Sequence, residues 1–240
     1  MECFTGSFAA MPGETIRAEA ICLAIRPWSQ TSHIVSWLTR AGRISTAVKG
    51  AVRPKSAFLG QYDVNYTCEI LYYARARGDM HALRECSPIV RRDRLRDDYR
   101  ALAIADYFRN TVGKLAPTGP EASEWMDVLG CALSTLEARQ DSSASDSIRR
   151  MLDFEMRVLE LSGLSPDISD DAEDKAFQLR GERRIPVTKE IINCIQNPLR
   201  EKNPKILLDA ARVIGVFYAF HLDCASDVRR TVMRMICNNK

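Results

Sequence analysis

Residues 40–56, RAGRISTAVKGAVRPKS, carry positive charges at Arg40, Arg43, Lys49, Arg53 and Lys55 and contain no carboxylate. The chemistry such a stretch offers is the gripping of a polyanion, because Lys and Arg gain affinity by displacing the counterions that screen its phosphates. Gly50 and the small residues around it let a phosphate come close to the backbone. Arg75 and Arg77, in the turn ARARGD at 74–79, add a second basic edge. Tyr62, Tyr66, Tyr72 and Tyr73 are aromatic faces on which bases stack in single-strand binders. Tyr66 and Tyr72 alternate with Val64 and Ile70 and read as core, which leaves Tyr73 as the outward-facing aromatic. On composition alone, a merely solvated basic turn is the competing reading of residues 40–56.

The rest of the chain lacks catalytic equipment. It has no GxxxxGK[ST] loop and no GxGxxG after a strand, so no nucleotide-phosphate cradle is signalled. His33, His81 and His221 stand far apart, and the eight cysteines form no CxxC pair, so no metal site of ordinary spacing is expected. Asp170, Asp171, Glu173 and Asp174 lack the glycine and closing glutamate of a calcium loop. The protein is therefore expected to be a non-enzyme without a cofactor. No run of about 18 apolar residues spans a membrane. Residues 1–14 lack the basic leader of a secretory signal, so a cytoplasmic location is expected.

Charge is unevenly distributed behind a net value of +3. Residues 1–92 hold twelve Lys/Arg against seven Asp/Glu, residues 121–190 nine against sixteen, and residues 191–240 eight against four. The head is basic, the middle acidic and the end mildly basic.

Hydrophobic periodicity supplies the elements that must position these groups. Alternation predicts strands over 15–26, 33–39, 43–50, 62–73 and 80–86, separated by polar and Gly/Pro turns, which points to a small barrel or sandwich. In the third strand Arg43 and Lys49 have the same parity and face outward. From residue 92 the spacing turns helical. Helices are predicted over 92–115, 120–139, 147–163, 189–197 and 203–222, with a short last one from Ser226. Ser142–Ser147, Thr188 and Asn203 are N-cap candidates, and Gly163 is a C-cap candidate. The polar loop 165–184 interrupts the helices. The expected organisation is α+β: a flexible tail at 1–14, a β domain at 15–90 and an all-α domain at 91–240.

The segment TIRAEAICLAIRPWSQTSHIVSWLTRAGRISTAVKGAVRPKSAFLG resembles the opening of the RecO recombination-mediator family. Ser32, Ile34, Val35, Leu38, Thr39 and Gly42 fill the family's first phrase, with Gln30 where a glutamate is usual. Lys49-Gly50-Ala51, Arg53, Lys55 and Ser56 fill the second. LRECSPI (83–89) and FEMRVLELSGLSPDI (154–168) resemble later phrases in the same order.

The resemblance implies a five-stranded OB-fold followed by a helical domain. It implies binding of single- and double-stranded DNA and annealing of complementary strands coated by single-strand binding protein. It also implies RecA loading with RecR, and RecF in some members. The acidic C-terminal tail of single-strand binding protein would dock in the helical domain, where Arg149, Arg150 and Arg157 are the expected contacts. Many members carry a four-cysteine zinc site after this last phrase. Here the corresponding DDAEDKAFQLRGERR has no cysteine, so no zinc is expected. A protein-interaction scaffold with an OB-like barrel and little affinity for nucleic acid is the alternative from a different class.

Overall fold

Period-two alternation builds five strands in the computed structural model, which describes residues 13–75, 80–138, 143–166, 176–178 and 184–237. The strands are β1 (Thr15–Ser29), β2 (Ser32–Thr39), β3 (Gly42–Val48), β4 (Thr67–Tyr73) and β5 (Met80–Val90). β1 pairs antiparallel with β2 and β4, β2 with β3, and β4 with β5. A short parallel pairing of β3 with β5 closes the barrel in the order β1-β2-β3-β5-β4. This is a five-stranded barrel of the OB type.

Inward residues of alternating parity fill it. Cys22, Val35, Trp37, Val48, Cys68 and Ile70 are fully buried. Tyr66 and Tyr72 belong to the same core, as their alternation predicts. The Trp37 indole N–H donates to the Thr46 hydroxyl at 2.8 Å, so the largest core ring keeps its polar handle satisfied.

β4 begins five residues later than alternation suggests. Asn65 takes a left-handed conformation, with φ of 68°, and the Tyr66 N–H turns back to the Asp63 carbonyl at 3.1 Å. Beyond β5 the buried Arg92 donates to the Asn65 carbonyl and the Thr67 hydroxyl, each at 2.8 Å. Tyr66 donates to Asp93 beside it. These bonds fasten the start of β4 to the chain leaving β5. The pairing also slips in β-bulges, which leave Trp28 without a Cα partner between Pro27 and Ser29. Arg84 is skipped in the same way opposite the Leu71–Tyr72 step. A bulge re-aims the side chain it carries.

Helical spacing gives α1 (Tyr99–Leu115), α2 (Ala122–Glu137), α3 (Ala144–Leu161), α4 (Lys189–Gln196), α5 (Pro204–His221) and α6 (Asp223–Cys237). A two-stranded antiparallel ladder three residues long, β6 (Ala176–Gln178) with β7 (Arg184–Pro186), lies between α3 and α4 in the chain. Three caps fall where side-chain type predicts them. Ser143 accepts from the Asp146 N–H at 3.1 Å, Thr188 from Ile191 at 3.4 Å and Asn203 from Lys205 at 3.0 Å. The first predicted helix is shortened. Residues Asp93–Asp97 form a 3₁₀ turn, and Asp98 caps α1 by accepting from the Arg100 N–H at 2.8 Å.

Backbone packing divides the chain into Met1–Asp93 with Leu115–Gly130, and Arg94–Lys114 with Cys131–Lys240. Residues 115–130, helical-domain material by periodicity, therefore group with the barrel. Gly42, at φ of 127°, lies so close to residue 118 that a Cβ on it would stand 2.5 Å from the Thr118 carbonyl oxygen.

In the second unit Phe108 stacks on Phe154 at 4.0 Å between ring centres. Glu155 is wholly buried there. Its Oε1 accepts from Arg229 Nε and from the Tyr107 hydroxyl, each at 2.7 Å, and its Oε2 accepts from Arg229 Nη2 at 3.0 Å. Gly215 makes room for that guanidinium, since a Cβ there would sit 2.4 Å from Arg229 Nη1.

Candidate nucleic-acid interface

The C-terminal ends of β3 and β4 meet the start of β5 on one side of the barrel, where Ala47 is the partner of Ala82 and Ala82 of Tyr73. These small residues floor a cleft of about 300 Å³. Lys49, Arg75 and Arg84 rim it, and Phe58, Tyr73 and Leu83 give it apolar walls. Arg84, turned outward by its bulge, lies over the Tyr73 ring with its guanidinium carbon 5.8 Å from the ring centre. The Arg75 N–H donates to His81 Nδ1 at 3.3 Å, which fixes the backbone that carries this cation. None of the three cations has a carboxylate partner among the described residues.

A cleft with positive edges and an aromatic wall matches a nucleotide chemically: the cations meet phosphate and the ring meets a base face. The surrounding sequence reinforces the field, since no Asp or Glu occurs from Ala20 to Tyr62 while six Lys/Arg do.

The eight residues assigned to nucleic acid from sequence divide among several places. Lys49, Tyr73 and Arg75 come together in the cleft. Arg53 and Lys55 stand exposed on the loop that continues from Lys49. Gly50, at φ of 66°, starts that loop; it donates to Ser32 Oγ at 3.2 Å, and Arg53 N–H returns to its carbonyl at 3.2 Å. Arg43 shares parity with Lys49, but six residues of strand separate the two by roughly 20 Å. It is half-buried opposite the fully buried Leu38. Arg40 is held by Asp127 through two bonds, at 2.8 and 3.2 Å, and by Ser123 at 3.0 Å. Donation to the Asp127 carboxylate raises the Arg40 guanidinium pKa above its ordinary value. Arg77 lies outside the described residues.

Alternation-based reading missed Arg84 and Phe58. A signal for Arg84 was present: buried Leu83 and Cys86 are three apart, which leaves two consecutive outward residues and requires a bulge.

In the helical unit, Arg149 Nε donates to the Glu201 carbonyl at 2.6 Å. Arg150 donates to Asp146 at 2.7 Å and to the Thr135 carbonyl at 3.0 Å. Arg157, paired with Asp153 at 3.2 Å, borders a cleft of about 350 Å³ with Met156, Ile195 and Pro198, but Asp153 and Glu160 share that rim. The acidic residues at 170–174 lie outside the described residues. Among the described residues no group of His, Cys, Asp and Glu is arranged to hold a metal ion, and no helix is long and apolar enough to cross a membrane.

The model of the family described as "Recombination protein O N terminal" matches residues 11–91. A DNA repair protein RecO of Alkaliphilus metalliredigens (strain QYMF) is 27% identical over 156 residues, covering 64% of this chain. A DNA repair protein RecO of Roseiflexus sp. (strain RS-1) is 27% identical over 179 residues, covering 74% of this chain. In each case the match spans 61% of the relative's own length.

Proposed function

We propose, from a chain that belongs through its residues 11–91 to the RecO family, that it is a recombination mediator in DNA repair. It acts without bond chemistry: the barrel binds single- and double-stranded DNA and brings complementary strands together for annealing. The observation that carries this reading is the convergence of Lys49, Arg75 and Arg84 on one cleft walled by Tyr73 and Phe58. Annealing asks a protein to neutralise two phosphate chains while leaving base edges free to pair. A barrel that holds phosphates on cations and a base face on a ring meets that requirement.

The remaining steps follow from the RecO resemblance. The protein anneals complementary strands coated by single-strand binding protein, and it helps load RecA together with RecR, with RecF as a further partner. For the acidic tail of single-strand binding protein, the cleft beside Arg157 has the apolar floor that a terminal aromatic residue needs. Its carboxylates oppose an anionic ligand, and Arg149 and Arg150 are engaged within their own unit. Arg157 borders that cleft but is itself paired with Asp153, so docking there would require this pair to open.

The test is the double variant Lys49→Ala with Arg84→Ala in the full chain, measured by oligonucleotide anisotropy at several salt concentrations. Each lost phosphate contact lowers the slope of log K against log salt by about 0.7 for single strands. The double variant should therefore lose about 1.4 of slope and bind all sequences more weakly. An unchanged slope sinks the assignment of this cleft. Wild-type protein with no measurable affinity for DNA favours the interaction-scaffold alternative.

A further inference from the structure

The bulge in β1 presents a second aromatic group that the cleft does not use. Trp28 stands 51% exposed at the tip of the first hairpin, whereas Trp37 and Trp125 are buried at 0% and 4%. A large ring left in water at a position fixed by a bulge is informative in a way that a scattered exposed Leu is not.

The tip is not a loose end. Ser29 pairs with Ser32, the Val52 N–H donates to the Thr31 carbonyl at 3.3 Å, and the Gly50 N–H donates to Ser32 Oγ at 3.2 Å. The hairpin tip and the loop that begins at Lys49 are thereby tied into one ledge. That ledge carries exposed Arg53 and Lys55 and, on β1 two residues before Trp28, exposed Arg26. The same loop contributes Lys49 and Phe58 to the cleft wall, so the ledge and the cleft share a segment.

We infer that Trp28 is a stacking contact for an unpaired base, a second aromatic station on the path of a single strand that also crosses the Lys49–Arg84 cleft. This rests on the reading of the barrel as the nucleic-acid surface. The choice of ligand follows from chemistry: an indole face among cations, with no carboxylate between Ala20 and Tyr62, suits a flat π-system that carries its own negative charge. The strand must be unpaired, because in a duplex both faces of each base are already covered by their neighbours. Trp28 should therefore bias the barrel toward single strands, while the cations bind either form.

The two buried tryptophans make the test direct. Adding oligo-dT to the intact 240-residue chain should quench the exposed part of its tryptophan emission, and a duplex of equal length should not. Trp28→Leu should abolish that quenching and weaken single-strand binding between about 5- and 150-fold, the range of one base–aromatic stack. Its duplex affinity should stay within about twofold, and Trp28→Phe should recover most of the single-strand affinity.

Single-strand affinity unchanged in Trp28→Leu overturns the inference, as does anisotropy-detected binding without quenching. Quenching by phosphatidylserine vesicles but not by oligo-dT overturns it in favour of a membrane-surface role for the indole. Binding that survives Trp28→Leu but falls in the Lys49→Ala, Arg84→Ala variant defeats Trp28 alone. Absence of any oligonucleotide binding defeats both readings.

Discussion

The barrel cleft and the helical unit both display arginines near apolar surface, yet their arginines are in opposite states. At the cleft, Arg75 and Arg84 face solvent with no acidic partner among the described residues, and Arg84 rests on an aromatic ring. In the helical unit the same residue type is consumed internally. Arg150 and Arg157 each bind a carboxylate four residues earlier on α3, and Arg229 is buried against Glu155. An arginine whose charge is already neutralised has little left for a polyanion, so a basic residue's availability depends on its neighbours rather than its type.

The hardest test of this contrast is Glu155→Ala. It leaves Arg229 buried at 7% side-chain exposure without its carboxylate and should destabilise the helical unit by about 3–5 kcal/mol. Burial opposes the charge of Arg229, and Glu155 more than offsets it, holding the guanidinium pKa above its usual range. Urea unfolding of the variant would show the loss; a change below about 1 kcal/mol would mean that the pair is not what holds these helices.

A smaller, graded effect is expected at alkaline pH. Burial raises the phenols of Tyr107 and Tyr218 well above their usual value of 10, in each case with a further push from Glu155. Burial also pushes the Cys194 thiol up to about 11 from 9, with Glu201 adding to the shift and Arg149 opposing it. These groups stay protonated in the folded chain at pH values where the unfolded chain has lost the protons. Their contribution is complete below about pH 9 and is lost as pH rises through the folded values. Thermal melts from pH 8 to 11 should fall progressively, and Cys194→Ala should flatten the part between 9 and 11. A melting temperature that holds constant over this range contradicts the buried state of these groups.

The mildest outcomes concern exposed pairs. Arg157→Ala removes a half-exposed ion pair and should cost under about 1 kcal/mol. It should leave the salt slope of oligonucleotide binding as in wild type, in contrast to Lys49→Ala. Arg40→Ala, which breaks an exposed link to Asp127, should behave similarly. A reduced salt slope in either variant would show that a paired arginine still reaches phosphate.

Elements whose logic is local were legible in the sequence. The five strands, the parity of Tyr66, Tyr72 and Tyr73, and the caps Ser143, Thr188 and Asn203 all follow from side chains acting on their own segment. Gly163 too adopts the left-handed conformation, φ of 66°, that ends α3. The concentration of cations between residues 40 and 56, and the absence of acid there, was equally open to reading.

Tertiary structure decided the rest, because it depends on partners distant in the chain. Arg40 met Asp127, 87 residues away, and Glu155 met Arg229, 74 residues away, and neither pairing leaves a mark on local periodicity. Residues 115–130 joined the barrel through a close approach at Gly42 that no helical pattern encodes. Bulges in β1 and β5 turned Trp28 and Arg84 outward against simple alternation. Side-chain type and spacing determined which groups this protein has to offer; long-range packing and register determined which of them remain on offer, since a charge or ring already satisfied inside the fold has no unmet interaction left for a ligand.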